Sequence, residues 1–227
     1  MKVTAGKKVL EFFTKYKPLY YRKGETILRA FDDPRGVNYI VSGFVKLYFL
    51  NQEGQEFTFN IFKPGSYFPI IWAVGGRDNY YYYEALTPTE IRRSPRADIL
   101  KFIQEDPAIL YELTKRLISG LEGLLIRMEH VLYGDANQKI KSTLYLLAKR
   151  FGEKEPRGAV KINIPITHQG IASLVGLSRE TTSLEMKRLE REGIIGRANR
   201  HILVKKIRSL KPRYSMYPRE RLTPASY

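Results

Sequence analysis

The first half of the chain has short apolar runs at nearly regular intervals. Three of them cover residues 37–41, 44–50 and 56–62, and the turn signals Ser42-Gly43, Asn51-Gln52-Glu53-Gly54 and Lys63-Pro64-Gly65 follow them. Runs of β-forming residues separated by roughly 8–12 positions are typical of an all-β sandwich or barrel. We therefore predict a β-barrel or sandwich between Tyr20 and about Arg93.

The apolar spacing changes to a helical one at Pro107, a residue that suits a first helical turn. Apolar side chains then recur at a/d spacing, with Thr114 in the one missing position: Leu110, Leu117, Leu121, Leu124, Met128 and Val131. A narrow seam sustained over about three heptads predicts a coiled coil between two copies of the chain. The alternative is a helix that packs only on its own domain. Gly134-Asp135 ends this helix and can cap the next one.

The C-terminal part has the pattern of a winged helix-turn-helix. An amphipathic helix through Phe151 precedes a polar stretch, residues 152–158, which we interpret as a loop, and a short strand, residues 160–164. Thr167 and Ser178 can cap two further helices, Gly176 supplies the turn between them, and Gly193 ends the second. Residues 194–195 and 201–204, on either side of a turn at 197–200, predict a hairpin wing.

The positive charge is concentrated in this C-terminal part. The 227 residues include 39 Lys and Arg against 23 Asp and Glu, a formal net charge of +16. Residues 1–134 hold 19 basic and 15 acidic side chains (+4), whereas residues 135–227 hold 20 and 8 (+12). An excess of this size indicates a polyanionic partner, nucleic acid or an anionic membrane. Because the excess charge lies in residues 135–227, it indicates a near-neutral N-terminal module joined to a C-terminal module that binds the polyanion.

Composition also excludes several kinds of site. The chain has no cysteine, which excludes disulfides, iron–sulfur clusters, cysteine-ligated zinc and thiol nucleophiles. Three scattered histidines do not predict a metal site. No apolar stretch is long enough to span a bilayer and the N-terminus does not have the pattern of a signal peptide, so we expect a cytoplasmic protein without a membrane partner.

The second helix of the helix-turn-helix divides into two faces at about 100° per residue. Thr182, Met186 and Leu189 share the face that should pack inward. Because the N-terminal part of such a helix enters the major groove, the predicted base contacts are Arg179, Glu180, Ser183, Leu184 and Lys187. An arginine can donate two bonds to guanine, and a glutamate can accept one from cytosine N4. Helix starts and the wing supply the predicted phosphate contacts: Thr167, His168, Gln169, Ser178, Arg197 and Arg200.

This segment resembles the C-terminal domain of the catabolite activator/FNR (Crp/Fnr) family of bacterial transcription regulators. The matching residues are Ile171-Ala172, Gly176, Ser178-Arg179-Glu180-Thr181, Lys187, Leu189 and Glu192-Gly193. Residues 23–27, 39–43 and 63–68 resemble the family's β-roll sensor domain, and the seam helix resembles its dimerisation helix. The resemblance implies an α+β fold: an N-terminal β-roll (double-stranded β-helix or jelly roll), a long dimerisation helix and a C-terminal winged helix-turn-helix. The implied ranges are 1–106, 107–134 and 135–210, before a basic tail, 211–227, that we expect to be disordered.

The sensor domain departs from family members that bind cyclic AMP. Those members hold the ribose with a Gly-Glu pair and the phosphate with an Arg-Ser/Thr pair. The corresponding positions here are Pro69-Ile70 and Tyr80-Tyr81, which lack both charges. We therefore expect no family-type cyclic AMP site. The lack of cysteine removes the iron–sulfur branch of the family, and we expect His130 to be a surface or interface residue and not a haem ligand. No cofactor is predicted.

The aromatic side chains of the sensor domain leave one candidate effector pocket, made by Trp72, Arg77, Tyr80 and Tyr82. In a strand, Tyr80 and Tyr82 face the same way and can line a small-molecule pocket against the seam helix. The alternative is that the tyrosines fill the β-roll core.

The recognition helix carries two further departures from the family. Leu184 stands where the family commonly has arginine, and it either touches a thymine methyl or contributes nothing. Glu185 stands at a usually apolar position, so its charge must reach solvent or a basic partner.

The sequence thus predicts a homodimeric, sequence-specific DNA-binding transcription regulator, with RNA polymerase as a further partner. Two alternatives remain: an effector-free, constitutive regulator of the same fold, and a small-molecule-gated interaction protein without promoter activity. An enzyme is not expected and no catalytic residue is assigned, because no Walker loop, nucleophile elbow or paired-carboxylate motif stands out.

Overall fold

A computed structural model describes residues 4–211 of the chain, except the side chains of residues 129–133 and 157. The tail predicted to be disordered, 211–227, lies outside the described residues apart from Lys211. The chain divides into two compact units between Ile126 and Arg127. This division falls inside the long helix, between the boundaries predicted after residues 106 and 134.

Eight strands of the first unit's described residues form two antiparallel sheets. They are β1 (Pro18–Tyr21), β2 (Thr26–Leu28), β3 (Val37–Ser42), β4 (Val45–Leu50), β5 (Glu56–Phe62), β6 (Tyr67–Phe68), β7 (Tyr82–Ala85) and β8 (Thr89–Ser94). One sheet has the strand order β1-β8-β3-β6 and the other β2-β7-β4-β5. The three apolar runs are β3, β4 and β5, and the mixed α+β fold with a β-roll is confirmed.

Turn residues set the strand connections. Asn51 Oδ1 accepts hydrogen bonds from the backbone N–H groups of Glu53 (3.0 Å) and Gln55 (2.8 Å), which closes the β4–β5 hairpin. Gly43 has φ of 85°, and a Cβ there would lie 2.4 Å from the carbonyl oxygen of Pro88. Only glycine fits at this turn between β3 and β4.

Helices cover one face of the roll, and the sequence pattern did not predict three of them: α1 (Ala5–Thr14), α2 (Ile70–Gly75) and α3 (Arg96–Glu105). A signal for α1 was available, because Val9, Phe12 and Phe13 recur at helical spacing and are buried. Phe13 stacks on Tyr39 of β3 with 5.0 Å between ring centroids. The helices thus bury the β3 face that points away from the space between the sheets.

Aromatic rings fill part of the space between the two sheets. Phe68 stacks on Tyr83 with 4.6 Å between centroids, and Phe62 stacks on both, at 5.6 and 6.3 Å. Burial raises the pKa of the Tyr83 hydroxyl well above its usual value. The same cluster contains Ile40 and Ile91, both fully buried. The roll therefore has a packed hydrophobic core at this point.

The long helix α4 (Pro107–Tyr133) begins at the predicted proline. Ile109 and Leu113 are buried against the roll, and Arg116 Nη1 donates to the carbonyl of Gly65 at 2.9 Å. The seam residues are not part of this packing: Leu110, Leu117, Leu121, Leu124 and Met128 are 38–56% exposed in the single chain. The side chain of the sixth seam residue, Val131, lies outside the described residues. The helix therefore packs on its own domain with one face and leaves the described seam uncovered.

The second unit contains three helices that pack together, α5 (Ala136–Phe151), α6 (His168–Val175) and α7 (Arg179–Arg191), and a four-stranded antiparallel sheet. Its strands are β9 (Gly152–Lys154), β10 (Val160–Ile162), β11 (Ile195–Ala198) and β12 (His201–Val204), in the order β11-β12-β10-β9. Asp135 caps α5 through a capping box with Gln138, so the predicted helix break and cap are both present. None of the described helices has the length and apolar character needed to cross a bilayer.

Three details of the wing region differ from the sequence prediction. The strand predicted over residues 160–164 ends at Ile162 as β10. Residues 152–154 are a strand and not part of a loop, because a Cβ at Gly152 would lie 2.0 Å from the Ala148 carbonyl oxygen and glycine alone lets the chain pass directly from α5 into β9. The wing turn is limited to Asn199 and Arg200, since Asn199 adopts φ of 56° and closes the hairpin in two residues. Arg197 therefore lies within β11.

Candidate nucleic-acid interface

Two capped helices joined by a glycine form the helix-turn-helix. Thr167 Oγ1 accepts from the backbone N–H of Gly170, and Ser178 Oγ accepts from that of Thr181, each at 3.0 Å. Gly176 ends α6 with φ of 69°, a conformation that favours glycine. Both predicted caps and the turn glycine are thus confirmed, and they fix where α7 begins.

The α7 residues that were predicted to pack inward are buried. Thr182, Met186 and Leu189 are 0%, 2% and 0% exposed. The Thr182 hydroxyl oxygen is buried without a hydrogen-bond partner in the described residues. A buried hydroxyl that lacks a partner carries a desolvation cost.

We expect Thr182→Val to raise the free energy of unfolding by about 1 kcal/mol, because valine has the same shape without the unpaired hydroxyl. Urea denaturation followed by circular dichroism measures the change. Thr182→Ser is the matched control: it keeps the hydroxyl, loses a buried methyl and should be destabilising. A valine variant less stable than the original protein would mean that the hydroxyl has a partner in solution.

The opposite face of α7 is accessible. Arg179, Glu180, Leu184 and Lys187 are exposed and Ser183 is partly buried, so the predicted base-contact residues lie together on one helix face. Leu184 is 68% exposed between two charged neighbours on that face. An apolar side chain in this position can reach a thymine methyl.

Residues predicted to contact phosphate surround this face. Thr167, Gln169 and Ser178 are exposed at the starts of α6 and α7, and Arg200 is exposed at the wing turn. Arg197 of β11 has its Nε 3.4 Å from Glu190 Oε1 of α7, which holds the wing cation beside the helix.

His168 links the two helices. Its Nδ1 lies 3.0 Å from Ser183 Oγ, so a predicted phosphate contact and a predicted base contact are bonded to each other. Burial lowers the pKa of His168, the positive charges of Arg197, Arg179 and Lys187 lower it further, and Glu190 opposes them. The cations that surround His168 are the ones predicted to bind DNA, and they favour its neutral form.

We expect His168 in the free protein to titrate below the usual histidine pKa of about 6.5. The folded state then binds the neutral form of His168 more favourably than the charged form. The stability that this preference contributes is fully present above about pH 6.5 and is lost as the pH falls and the imidazole is protonated. Bound DNA places negative phosphates near His168 and should raise its pKa. At constant salt, DNA affinity should therefore increase as the pH is lowered from about 7.5 to 6. Titrations at both pH values measure the gain. His168→Gln should remove it, and an undiminished gain in that variant would contradict the assignment.

Glu185 links α7 to the start of α5. Asn137 Nδ2 donates to Glu185 Oε2 at 2.6 Å, and Arg188 Nη1 lies 3.9 Å from the same oxygen. Arg188 is itself held by Glu192 at 3.1 Å. The carboxylate therefore has an amide and a basic partner, which the sequence left open. Pattern reasoning missed the contact with Asn137 because the two residues are 48 positions apart.

The tyrosines of the predicted effector pocket do not share a strand face. Strand β7 begins at Tyr82, so the prediction that Tyr80 precedes it in the same strand is wrong. The cause is Asn79, whose side-chain amide donates to the carbonyls of Arg29 and Tyr81, both at 2.8 Å, and holds this segment as a loop.

The four predicted pocket residues also have separate surroundings. Tyr80 is 52% exposed with its ring edge on Phe31, and Tyr82 stacks on Tyr48. Trp72 packs against the cluster on the helix-covered face, and Arg77 is exposed. The described contacts do not bring these four side chains together into one pocket.

Comparisons with known proteins match both units. A cyclic nucleotide-binding domain model matches residues 18–106, and a Crp-like helix-turn-helix domain model matches residues 138–213. The Global nitrogen regulator of a Synechocystis species is 25% identical over 190 residues, 81% of this chain and 82% of that protein. The cAMP-activated global transcriptional regulator CRP of Pasteurella multocida is 26% identical over 198 residues, 86% of this chain and 93% of that protein. A crystal structure of a CRP/FNR-family transcriptional regulator from Thermus thermophilus superposes with a TM-score of 0.68 at 25% identity, covering 86% of this chain and 96% of that one.

Proposed function

The chain belongs to the Crp/Fnr family of DNA-binding transcriptional regulators, and we propose that it acts as a homodimer that reads a two-fold symmetric DNA site with α7 of each copy. The observation that carries the proposal is the single accessible face of α7, with Arg179, Glu180, Leu184 and Lys187 at the start of a capped helix. The charge of +12 in residues 135–227 supplies the attraction to phosphate.

The uncovered seam of α4 supports the dimer. Leu117, Leu121 and Leu124 lie at a/d spacing and are 47%, 56% and 38% exposed in one chain. Burying a row of leucines against a second copy stabilises a coiled coil, since each buried leucine contributes on the order of 2 kcal/mol. Dimerisation also places two copies of α7 on one duplex. RNA polymerase is the expected further partner of such a regulator.

The packed roll supports a regulator that does not use cyclic AMP in the family manner. The positions that correspond to the family's ribose and phosphate ligands are Pro69-Ile70 and Tyr80-Tyr81. Phe68, which precedes the first of these segments, stacks on Tyr83 at 4.6 Å within the hydrophobic core. The charged side chains that the family uses for its nucleotide are replaced at these positions, which favours the constitutive form of the proposal at this site.

Selection of bound duplexes from a random DNA library tests the proposal. We expect enriched sequences with two-fold symmetry and half-site centres about 34–36 Å apart, protected together in a footprint. Millimolar cyclic AMP should leave the measured affinity unchanged. Enrichment of a single unpaired half-site would contradict the dimer, and no enrichment would contradict sequence-specific binding. A large gain with cyclic AMP would contradict the proposed loss of the family's cyclic AMP site.

A further inference from the structure

The β-roll has an open cleft away from its aromatic stack. The cleft has a volume of about 540 Å³ and is lined by β1, β2, the β2–β3 loop, β3 and β8. Phe62, Phe68 and Tyr83 are not among its lining residues. Its volume falls within the usual range for small-molecule sites, which is about 300–1,000 Å³.

Arg93 of β8 is a charged residue that lines this cleft. Its Nε donates to Asn38 Oδ1 at 2.8 Å and its Nη2 to the Tyr21 hydroxyl at 3.2 Å. Asn38 is 3% exposed, so the side chain that orients the guanidinium is itself fixed in the roll. Both of these hydrogen-bond partners are neutral, so they position the Arg93 guanidinium without forming an ion pair.

Two observations show that Arg93 is free to pair with a ligand. In the part of the chain that the structure describes, no carboxylate oxygen lies within 4 Å of its guanidinium, although its neighbour Arg92 pairs with Glu90 at 3.8 Å. Its Nη1 makes no hydrogen bond within the same residues. A partly buried guanidinium without a counter-ion has already lost part of its hydration in the folded protein. Binding an anion therefore costs it less desolvation than it would cost a fully solvated guanidinium, and the net binding free energy is more favourable.

The cleft wall has a fixed shape and a mixed charge. Gly36 has φ of 143°, and a Cβ there would lie 2.2 Å from the Ser94 carbonyl oxygen, so the β2–β3 loop closes tightly on β8 beside Arg93. The exposed rim carries two cations, Arg29 and Arg35, and three carboxylates, Glu25, Asp32 and Asp33. The rim acids can accept hydrogen bonds from hydroxyl or amino groups of a ligand.

We propose that this cleft binds a small organic acid, a carboxylate or a monophosphate that also carries hydroxyl or amino groups, with its acid group on Arg93. The planar guanidinium pairs with either acid group through two parallel N–H donors. The rim side chains then receive the polar remainder of the molecule. The site is independent of the DNA-binding face, so its failure and the failure of the proposed function are separate results.

Isothermal titration of the full chain at constant ionic strength tests the proposal with three probes that share a carbon skeleton. They are glycerate, glycerol 3-phosphate and glycerol. We expect saturable binding of at least one acid by roughly 10 mM and none of glycerol. The acid that binds identifies the ligand as carboxylate or phosphate. No saturation by either acid, or equal binding of glycerol, would overturn the proposal.

Variants at Arg93 complete the test. Arg93→Gln should weaken acid binding about tenfold or more, since hydrogen bonds to a charged group contribute roughly 1.5–3 kcal/mol. Arg93→Lys keeps the charge without the planar pair of donors, should remain folded by circular dichroism, and should bind several-fold more weakly. Arg77→Gln, which removes an exposed cation outside the cleft, should bind as the original protein does. Unchanged affinity in both Arg93 variants, or an equal loss in the Arg77 variant, would overturn the assignment.

Discussion

Arg179→Ala is expected to weaken binding to the selected DNA site roughly 5- to 150-fold per half-site, because it removes about 1–3 kcal/mol of base readout. Arg179 is exposed in the first turn of α7, directly after the Ser178 cap. A bidentate contact to guanine distinguishes that base from the other three. The loss should therefore be confined to the selected site and accompanied by relaxed preference at one base pair in each half-site. Repeating the duplex selection with the variant measures both effects.

Arg200→Ala is the matched control for that experiment. Arg200 is exposed at the wing turn and is assigned to phosphate. Its loss should weaken binding to all duplexes by a similar factor and reduce the salt slope by about one, with no change in preference. An Arg179 variant that keeps the original preference at every position would contradict its role as a base contact.

A charge in the seam of α4 should separate the dimer. Leu121→Glu places a carboxylate at an a/d position that is 56% exposed in one chain and, in the proposed dimer, faces its own copy. Two buried like charges are unfavourable, so we expect a monomer by sedimentation at micromolar concentration. DNA affinity should fall by about a hundredfold or more, because the second half-site no longer gains from linkage to the first.

Ile71→Glu is the control for the seam variant. Ile71 is 69% exposed on α2 of the roll, so the substitution adds the same charge to an exposed apolar position outside the seam. It should leave both the dimer and the DNA affinity unchanged. A Leu121 variant that stays dimeric, or a control that separates equally well, would contradict the coiled-coil assignment.

The elements that could be predicted from the sequence are those with a local signal. The strands β3, β4 and β5 were predicted from apolar runs between turn residues, and α4 was predicted to begin at Pro107. The caps of α6 and α7 were predicted from Thr167 and Ser178, because a cap needs only a hydroxyl and a backbone N–H three residues later. The inward face of α7 followed from helical periodicity alone.

The features that were missed depend on contacts between distant segments. Gly152 begins strand β9 because the strand pairs with β10 and because the Ala148 carbonyl oxygen leaves no room for a Cβ at this position. No local sequence pattern shows either contact. Tyr80 lies outside β7 because Asn79 bonds to Arg29, 50 positions away. The partners of Glu185 and Arg93 likewise belong to other elements. Base and phosphate contacts remain predictions, but the residues assigned to them lie around one accessible face.

The competition between the selected duplex and a scrambled duplex of equal length and composition tests the central claim most directly. Dissociation constants for both should be measured at several salt concentrations, since salt reduces the phosphate contribution to both. A sequence-specific regulator should bind the selected duplex about a thousandfold or more tightly near physiological salt. The ratio should persist as absolute affinity falls. A ratio near one at every salt concentration would contradict sequence-specific DNA binding by this chain.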